Sequence, residues 1–320
     1  SNLEITSDGD EVYFVRNYMD IQTDKQLGNI WKVDKDKNLT PVTNGLHSDY
    51  SPRLSPDEKK LAYISTASGK SQIHIKWLAS GQTGQMTHFS QSPGNLSWSP
   101  NGKMLAFTRF VKGAPKSALS LEGKPEGAQW AKPAIYIDDV YYRYDGGGYA
   151  KPGHSHIFVI SADGGTARQI TQGNFDHGGH LSWSKDNKQI IFSANRNNDH
   201  ELQPTNSDVY SVNISNGKLT QLTKRNGPDY SPRISPNGKL IAYLGYQETY
   251  TNYENTQLYI MNKDGSNKRS ITAKFDRSVD SVKWASNSKG VYYNYTDKGE
   301  TYVAFQPLKG KRKIVASNIG

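Results

Sequence analysis

The chain has 320 residues, of which 34% are hydrophobic, and it contains 20 Tyr but no Cys. The lack of cysteine excludes a disulfide framework and a thiolate metal site, and no apolar run approaches the ~18 residues of a membrane-spanning helix. The net charge is +9. Because Lys and Arg are scattered through predicted turns and cluster only at 309–313, we expect no nucleic-acid partner and no membrane insertion.

One phrase occurs twice almost unchanged, as DYSPRLSPDEK from Asp49 and as DYSPRISPNGK from Asp229. Weaker copies surround it, and each has an apolar residue, here called the anchor, two positions before the Pro of a turn or its equivalent. The anchors are Ile5, Leu54, Trp98, Trp183, Ile234 and Trp284. They lie 44 to 51 residues apart, except for one interval of 85. The long interval equals one repeat plus an insertion.

Within each copy the same elements follow in order. The anchor ends a first strand, and a polar turn such as Asp-Gly or Asn-Gly then favours a tight hairpin. A second, apolar strand ends in an aromatic residue: Phe14, Tyr63, Phe107, Phe192, Tyr243 or Tyr293. After a third strand and another turn comes a short fourth strand, which often ends in Thr, as at 43, 87, 171, 223 and 272.

Four short strands in about 45 to 50 residues are typical of a propeller blade. The sequence therefore predicts an all-β fold, a TolB-like β-propeller of four-stranded blades with six repeats visible, as a single domain over 1–320. A lone blade cannot cover both of its faces, so we expect the repeated aromatic residues to pack between blades.

An insertion at about 110–153 interrupts the third repeat. Long loops inserted into a regular scaffold often contain binding residues. Aromatic faces hold side chains, and Arg143 suits a bidentate pair with a carboxylate. We therefore predict substrate binding by Tyr141, Tyr142, Arg143, Tyr144, Asp145 and Tyr149. The alternative is a loop that only plugs the channel or supports a neighbouring domain.

Two segments with the pattern Ser-Pro-Asn-Gly-Lys-x-x-Ala-Phe/Tyr, at 99–107 and 235–243, resemble the repeat of TolB-type and peptidase propellers. More specifically, Trp-Ala-Lys-Pro from Trp130, the segment 142–149 and the segment 155–171 resemble the propeller of bacterial acylaminoacyl peptidases, which belong to the prolyl oligopeptidase family of serine peptidases. This resemblance implies a ring of seven blades, the seventh beyond Gly320. It also implies a following α/β-hydrolase domain with a Ser-Asp-His triad, which the propeller covers against large folded substrates.

The chain itself contains no such hydrolase domain. The string nearest to the nucleophile motif Gly-x-Ser-x-Gly runs from Gly153 through Ser155 to Ile157; its last position is Ile, and it opens a predicted strand where the motif needs a strand-to-helix turn. We therefore predict no catalytic residue and no cofactor here. The expected partners are a peptide substrate and a C-terminal α/β-hydrolase domain of the same native chain. The expected location is periplasmic if a signal peptide has been removed, and otherwise cytoplasmic.

Three weaker patterns have simpler explanations. His154, His156, Asp176, His177 and His180 suggest zinc ligands, but nothing beyond composition brings them together, so we predict no metal site. Acidic residues at 8–11 and 34–36 lie at hairpin turns, where Asp is common. The glycine run 146–148 suggests a flexible hinge. For the whole chain, the alternative function is a TolB-like envelope propeller that acts as a protein–protein interaction scaffold.

Overall fold

The computed structural model describes residues 3–114, 123, 125–131, 135–251 and 253–319, and within these ranges the regular structure consists of β-strands. No helix in the described ranges is long and apolar enough to cross a membrane. The strands form six four-stranded sheets and one two-stranded hairpin. The prediction of an all-β propeller with one blade per repeat is therefore confirmed.

The first three blades contain the following strands. Blade 1 has β1 (Glu4–Ile5), β2 (Glu11–Asp20), β3 (Lys25–Asp34) and β4 (Leu39–Pro41). Blade 2 has β5 (Asp49–Leu54), β6 (Lys60–Ser65), β7 (Gln72–Trp77) and β8 (Thr83–Gln85). Blade 3 has β9 (Pro93–Trp98), β10 (Met104–Lys112), β13 (Gly153–Ser161) and β14 (Arg168–Gln169), and β11 (Arg143–Tyr144) and β12 (Gly148–Tyr149) form the separate hairpin between β10 and β13.

The last three blades repeat the pattern without interruption. Blade 4 has β15 (Gly178–Trp183), β16 (Gln189–Ala194), β17 (Asp208–Asn213) and β18 (Leu219–Gln221). Blade 5 has β19 (Asp229–Ile234), β20 (Leu240–Gly245), β21 (Gln257–Asn262) and β22 (Arg269–Ser270). Blade 6 has β23 (Val279–Trp284), β24 (Gly290–Asp297), β25 (Glu300–Pro307) and β26 (Lys313–Ala316).

Each blade is an antiparallel meander in which consecutive strands are hydrogen-bonded neighbours. In blade 3 the second and third strands stay in register from the pair Met104 and Ser161 to the pair Lys112 and Gly153. The long insertion therefore leaves and rejoins the blade between two adjacent strands, without disturbing the sheet.

Apolar side chains fill the spaces between consecutive blades. Five buried clusters lie, respectively, between blades 1 and 2, 2 and 3, 3 and 4, 4 and 5, and 5 and 6. The aromatic residues of the second strands contribute directly, with Phe107 0% and Tyr243 2% exposed. The second strands do not end at these residues, as the sequence predicted, but continue past them to Lys112 and Gly245. Burial of one such side chain stabilises the fold by roughly 1.5–3 kcal/mol, so these shared side chains hold consecutive blades from 1 to 6 together.

Tryptophan anchors add hydrogen bonds between blades. Each indole N–H donates to the carbonyl of the residue that precedes the anchor in the blade before it. The pairs are Trp98 to Arg53 at 2.9 Å, Trp183 to Ser97 at 3.2 Å, and Trp284 to Arg233 at 2.8 Å. These bonds fix the first strands of neighbouring blades relative to one another.

The threonine that follows each short fourth strand has a defined role. Its hydroxyl oxygen accepts a hydrogen bond from a backbone N–H of the third strand, for example from Ile73 to Thr87 at 2.9 Å and from Val209 to Thr223 at 2.9 Å. The same contact occurs at Thr43, Thr171 and Thr272. In five blades, therefore, this side chain extends the sheet by one hydrogen bond beyond the strand.

Candidate functional site: the central channel and the insertion hairpin

The first strand of every blade faces a common central space. Residues of β1, β5, β9, β15, β19 and β23 line a cavity of about 1010 Å³. Because each wall is the first strand of a packed blade, the lining side chains are held by a rigid backbone. We call this space the central channel.

The first strands of blades 2 to 6 share a β-bulge, and in four of them its residue has a left-handed backbone conformation without being glycine. The φ angles are 55° at Ser51, 52° at Asn95, 51° at Ser231 and 54° at Ser281. In blade 4 Gly179 has a φ of 71° near the same point. A bulge inserts one residue and changes the direction of the side chains after it. Here the residues just after the bulges are among those that line the channel.

The channel lining carries an excess of positive charge. Besides the neutral side chains, it includes Arg53, Lys185, Arg233 and Lys283 against the single carboxyl group of Glu4. Nη1 of Arg53 donates to Oε1 of Glu4 at 3.2 Å, so this pair cancels part of the charge. The remaining cations have no equally close carboxylate among the residues that line the channel.

Burial changes the protonation of several channel groups. Burial and then the nearby Arg53 lower the pKa of Arg233 to about 10. Burial, followed by the charges of Arg233 and Arg53, lowers the pKa of His180 to about 4. Burial raises the pKa of Glu4. His180 is therefore neutral at neutral pH: its side chain is open to solvent in the channel, but the protein around it and the two arginines disfavour a further positive charge.

The six residues predicted to bind substrate lie together in the insertion hairpin, formed by 141–149. The Tyr142 and Tyr149 rings are 6.5 Å apart, and the backbone N–H of Ala150 donates to the carbonyl of Tyr142 at 2.8 Å. Each of the four tyrosines is about half exposed. None of the six side chains lines the central channel, so the hairpin is a separate surface.

The glycine run forms the turn of this hairpin, where the sequence suggested a flexible hinge. Gly146 and Gly148 have φ angles of 69° and 73°, a conformation that glycine adopts without a steric cost. The N–H of Gly147 donates to the carbonyl of Tyr144 at 3.1 Å. One further contact, from the N–H of Val140 to Oε2 of Glu201 at 3.1 Å, connects the insertion to the long loop of blade 4.

Four of the five candidate zinc ligands lie near Ser155 of β13, where they form two contacting pairs, and the fifth, His180, lies in the channel. The His156 and His177 rings stack at 5.1 Å, His154 lies 3.9 Å from the carboxylate of Asp176, and His180 lines the channel. Across the described ranges, no group of three His, Cys, Asp or Glu side chains is placed to hold a metal ion. Ser155 lies inside β13 and pairs with Phe110 of β10, so its backbone is that of a strand and not of a nucleophile elbow.

The channel residues Arg53 and Arg233 were not predicted as site residues, and His180 was considered only as a zinc ligand. A signal for two of them was present, because both copies of the repeated phrase carry Arg immediately before the anchor. In the structure each of these arginines lines the channel together with its half-buried anchor, Leu54 or Ile234.

Comparisons with known proteins agree with this architecture. A family model for the N-terminal region of dipeptidyl peptidase IV (DPP IV) matches residues 148–253. Dipeptidyl-peptidase 5 of Porphyromonas gingivalis is 23% identical over 315 residues, which cover 94% of this chain and 45% of that protein. The chain thus spans less than half the length of this relative.

Solved structures show the same fold. An acylaminoacyl peptidase in complex with Z-Gly-Gly-Phe-chloromethyl ketone superposes with a TM-score of 0.74 at 17% identity, covering 99% of this chain and 45% of that one. TolB from Acinetobacter baumannii superposes with a TM-score of 0.59 at 18% identity, covering 96% of this chain and 63% of that one. The chain is a TolB-like β-propeller. The resemblance expected from the sequence is also confirmed, since the chain is similar to the N-terminal regions of peptidases of the prolyl oligopeptidase family.

Proposed function

We propose that this chain is the non-catalytic propeller of a serine peptidase, and that it gates and helps to bind peptide substrates for a hydrolase domain outside this sequence. The observation that carries the proposal is the open, charged central channel of about 1010 Å³ in a chain whose relatives include peptidases. The volume is at the upper end of the range of ordinary ligand pockets, about 300–1,000 Å³.

The rigidity of the ring supports a role in size selection. A folded domain of about 100 residues has a radius of gyration near 13 Å, far too large for a cavity of this volume, whereas a short extended peptide fits. Because consecutive blades from 1 to 6 share buried side chains, and three of these junctions also have Trp hydrogen bonds, separating any of these pairs would break several contacts at once. A filter of this kind admits unfolded peptides and excludes folded proteins.

The insertion hairpin supports a role in substrate binding. Its tyrosines offer exposed aromatic faces, and Arg143 suits the recognition of a carboxylate. We propose that Tyr141, Tyr142, Arg143, Tyr144, Asp145 and Tyr149 bind a peptide end. Held in this way, a substrate reaches the catalytic groups in a defined orientation, which lowers the entropic cost of reaction.

The gating role is tested on the product of the native gene. We expect that product to hydrolyse dipeptidyl or N-acetyl-aminoacyl chromogenic substrates, and this chain alone to be inactive. Ser97→Trp narrows the channel, so kcat/KM should fall about tenfold or more for a peptide of about ten residues and much less for the small substrates. Thr83→Trp, on the exposed outer strand of blade 2, is the matched control. Phosphonate-sensitive hydrolysis by this chain alone would contradict the proposal.

The hairpin is tested by Arg143→Ala and Tyr149→Ala in the same native product. If the hairpin binds the substrate equally in the ground and transition states, KM should be severalfold higher in each variant than in the parent protein, while kcat should be unchanged. Tyr250→Ala removes an exposed tyrosine, 71% accessible, from a loop of blade 5 and serves as the control. An unchanged KM in both hairpin variants would leave the hairpin as a structural insertion.

The alternative role, a TolB-like protein-interaction scaffold, is supported by the likeness to TolB. The peptidase role is favoured because the superposition on the acylaminoacyl peptidase has the higher TM-score and covers more of this chain. The same experiment separates the two, since a native gene product without peptidase activity would favour the scaffold.

A further inference from the structure

Arg233 and Arg53 occupy the same position of two nearly identical phrases, yet their surroundings differ. Nε of Arg53 donates to the carbonyl of Leu96 at 3.1 Å, and its Nη1 pairs with Glu4 at 3.2 Å. Within the described part of the chain, the guanidinium group of Arg233 makes no hydrogen bond and no ion pair of this kind. The guanidinium N–H groups of Arg233 are therefore available to a ligand in the channel, whereas the corresponding groups of Arg53 are already bonded to Leu96 and Glu4.

The strands on both sides of Arg233 carry polar groups that face the same space. His180 lies on β15 of the preceding blade and Lys283 lies on β23 of the following blade, and both line the channel with Arg233. Two hydrogen bonds fix these strands. The N–H of Ile234 donates to Oγ of Ser182 at 2.9 Å, and the indole of Trp284 donates to the carbonyl of Arg233 at 2.8 Å.

We propose that Arg233, His180 and Lys283 form a carboxylate-binding site in the central channel. The planar guanidinium group of Arg233 offers two parallel N–H donors that match a carboxylate. Lys283 adds a positive charge, and neutral His180 adds one N–H donor. The site is arranged in advance because all three side chains come from first strands that the blade contacts hold in place.

The protonation state of Arg233 supports this assignment. Burial lowers its pKa to about 10, with a further decrease from the charge of Arg53 that the carboxylate of Glu4 offsets only in part. A lowered arginine pKa means that the charged form lacks the stabilisation it has in water. A bound carboxylate supplies that missing stabilisation, so an anion and the charged guanidinium group favour each other.

The ligand is the carboxylate of a peptide, supplied either by its C-terminus or by an acidic side chain. This inference rests on the proposed function, because it names the chemistry that the channel recognises in a peptide. Its test is a binding measurement on this chain and requires no hydrolysis. If peptide binding fails but gating is observed, only the carboxylate site is contradicted. If peptide binding is observed but gating fails, only the proposed function is contradicted.

The experiment is isothermal titration of this chain with N-acetyl-trialanine and with its C-terminal amide. The free acid should bind at least tenfold more tightly than the amide, and its affinity should decrease as salt is raised, because the attraction is electrostatic. In Arg233→Gln the affinity for the free acid should fall at least tenfold, and in Lys283→Gln it should fall by a smaller factor. Arg269→Gln makes the same charge change on the exposed outer strand of blade 5 and should leave the affinity unchanged.

A third peptide, N-acetyl-Ala-Glu-Ala-amide, distinguishes the two sources of carboxylate. Binding that matches the free acid supports the site and identifies side-chain carboxylates as ligands, whereas weak binding supports the site and identifies the C-terminus. Thermal melting shows that the variants are folded, and little loss is expected for Arg233→Gln because its guanidinium group makes no hydrogen bond within the described residues. Equal affinities of the free acid and its amide, or undiminished binding by folded Arg233→Gln, would overturn the inference.

Discussion

Protonation of His177 should destabilise the fold in mildly acidic solution. This side chain is 0% exposed, and its Nε2 accepts a hydrogen bond from Nη1 of Arg196. In that tautomer the proton is on Nδ1, which has no hydrogen-bond partner in the described part of the chain. The stacked ring of His156 at 5.1 Å and Phe192 enclose the group, so a second proton would place two cations in contact.

The magnitude follows from the pKa. Burial, followed by the charge of Arg196, lowers the pKa of His177 from 6.5 to about 4. A histidine in the unfolded chain binds its proton at a higher pH than the native one, so the free energy of unfolding decreases as pH falls from about 6.5 to about 4. A difference of about 2.5 pKa units corresponds to about 3 kcal/mol, a large part of the total stability of an ordinary domain.

The test compares His177→Phe with the parent chain by urea unfolding, followed by Trp fluorescence between about pH 7 and about pH 4.5. At pH 7 the variant should be less stable by about 1–3 kcal/mol, because Arg196 loses its acceptor. The gap should narrow as pH falls, since only the parent chain is destabilised by protonation at this position. His88→Phe, at an exposed histidine, is the control. A gap that stays constant with pH would refute the reasoning.

Thr223→Val removes the oxygen that accepts the backbone N–H of Val209 at 2.9 Å, so the free energy of unfolding should fall by about 1–3 kcal/mol. Thr223→Ser keeps the hydroxyl group and should retain most of the free energy of unfolding. Equal urea midpoints for the Val and Ser variants would contradict this explanation. Trp284→Phe deletes the 2.8 Å bond to the Arg233 carbonyl and should cost about 1–2 kcal/mol in the same assay. In Arg233→Gln the pKa of His180, now about 4, should rise in an NMR titration but stay below 6.5 because burial remains; an unchanged value would exclude coupling between the two groups.

Much of the fold could be predicted because each repeat carries local signals that agree with one another. Polar turns, apolar second strands and aromatic residues such as Phe107 recur at a fixed spacing, and Phe107 is fully buried. The recurring threonines were predicted as strand ends. They lie just beyond the strands, as Thr87 does after β8, because the hydroxyl group replaces a backbone partner there.

The number of blades in the native ring stays a prediction. Buried clusters join each consecutive pair of blades from 1 to 6, and none in the described ranges joins blade 6 to blade 1. The anchor of blade 1, Ile5, is 47% exposed, whereas the anchor of blade 4, Trp183, is buried. The expectation of seven blades came from the family resemblance and not from the repeats themselves.

The channel could not be derived from the sequence pattern because its lining depends on the bulges. A regular strand alternates its faces at every residue, but the extra residue at Ser231, with a φ of 51°, shifts the pairing between Tyr230 and Arg233. Counting residues by strict alternation along the strand therefore places those on one side of the bulge on the wrong face of the sheet. The insertion was easier to notice because it interrupts the repeat, although interruption alone does not show binding.

The two repeated arginines show how a repeat acquires a site. The phrase fixes the same backbone around Arg53 and Arg233, so the difference between them comes from neighbouring blades. Glu4 of blade 1 pairs with Arg53, whereas the strands beside Arg233 contribute His180 and Lys283. Glu4→Gln should therefore release the charge of Arg53 into the channel and tighten the binding of N-acetyl-trialanine severalfold, measured by titration. Unchanged or weaker binding in folded Glu4→Gln would show that the total charge of the channel does not determine its affinity for a carboxylate.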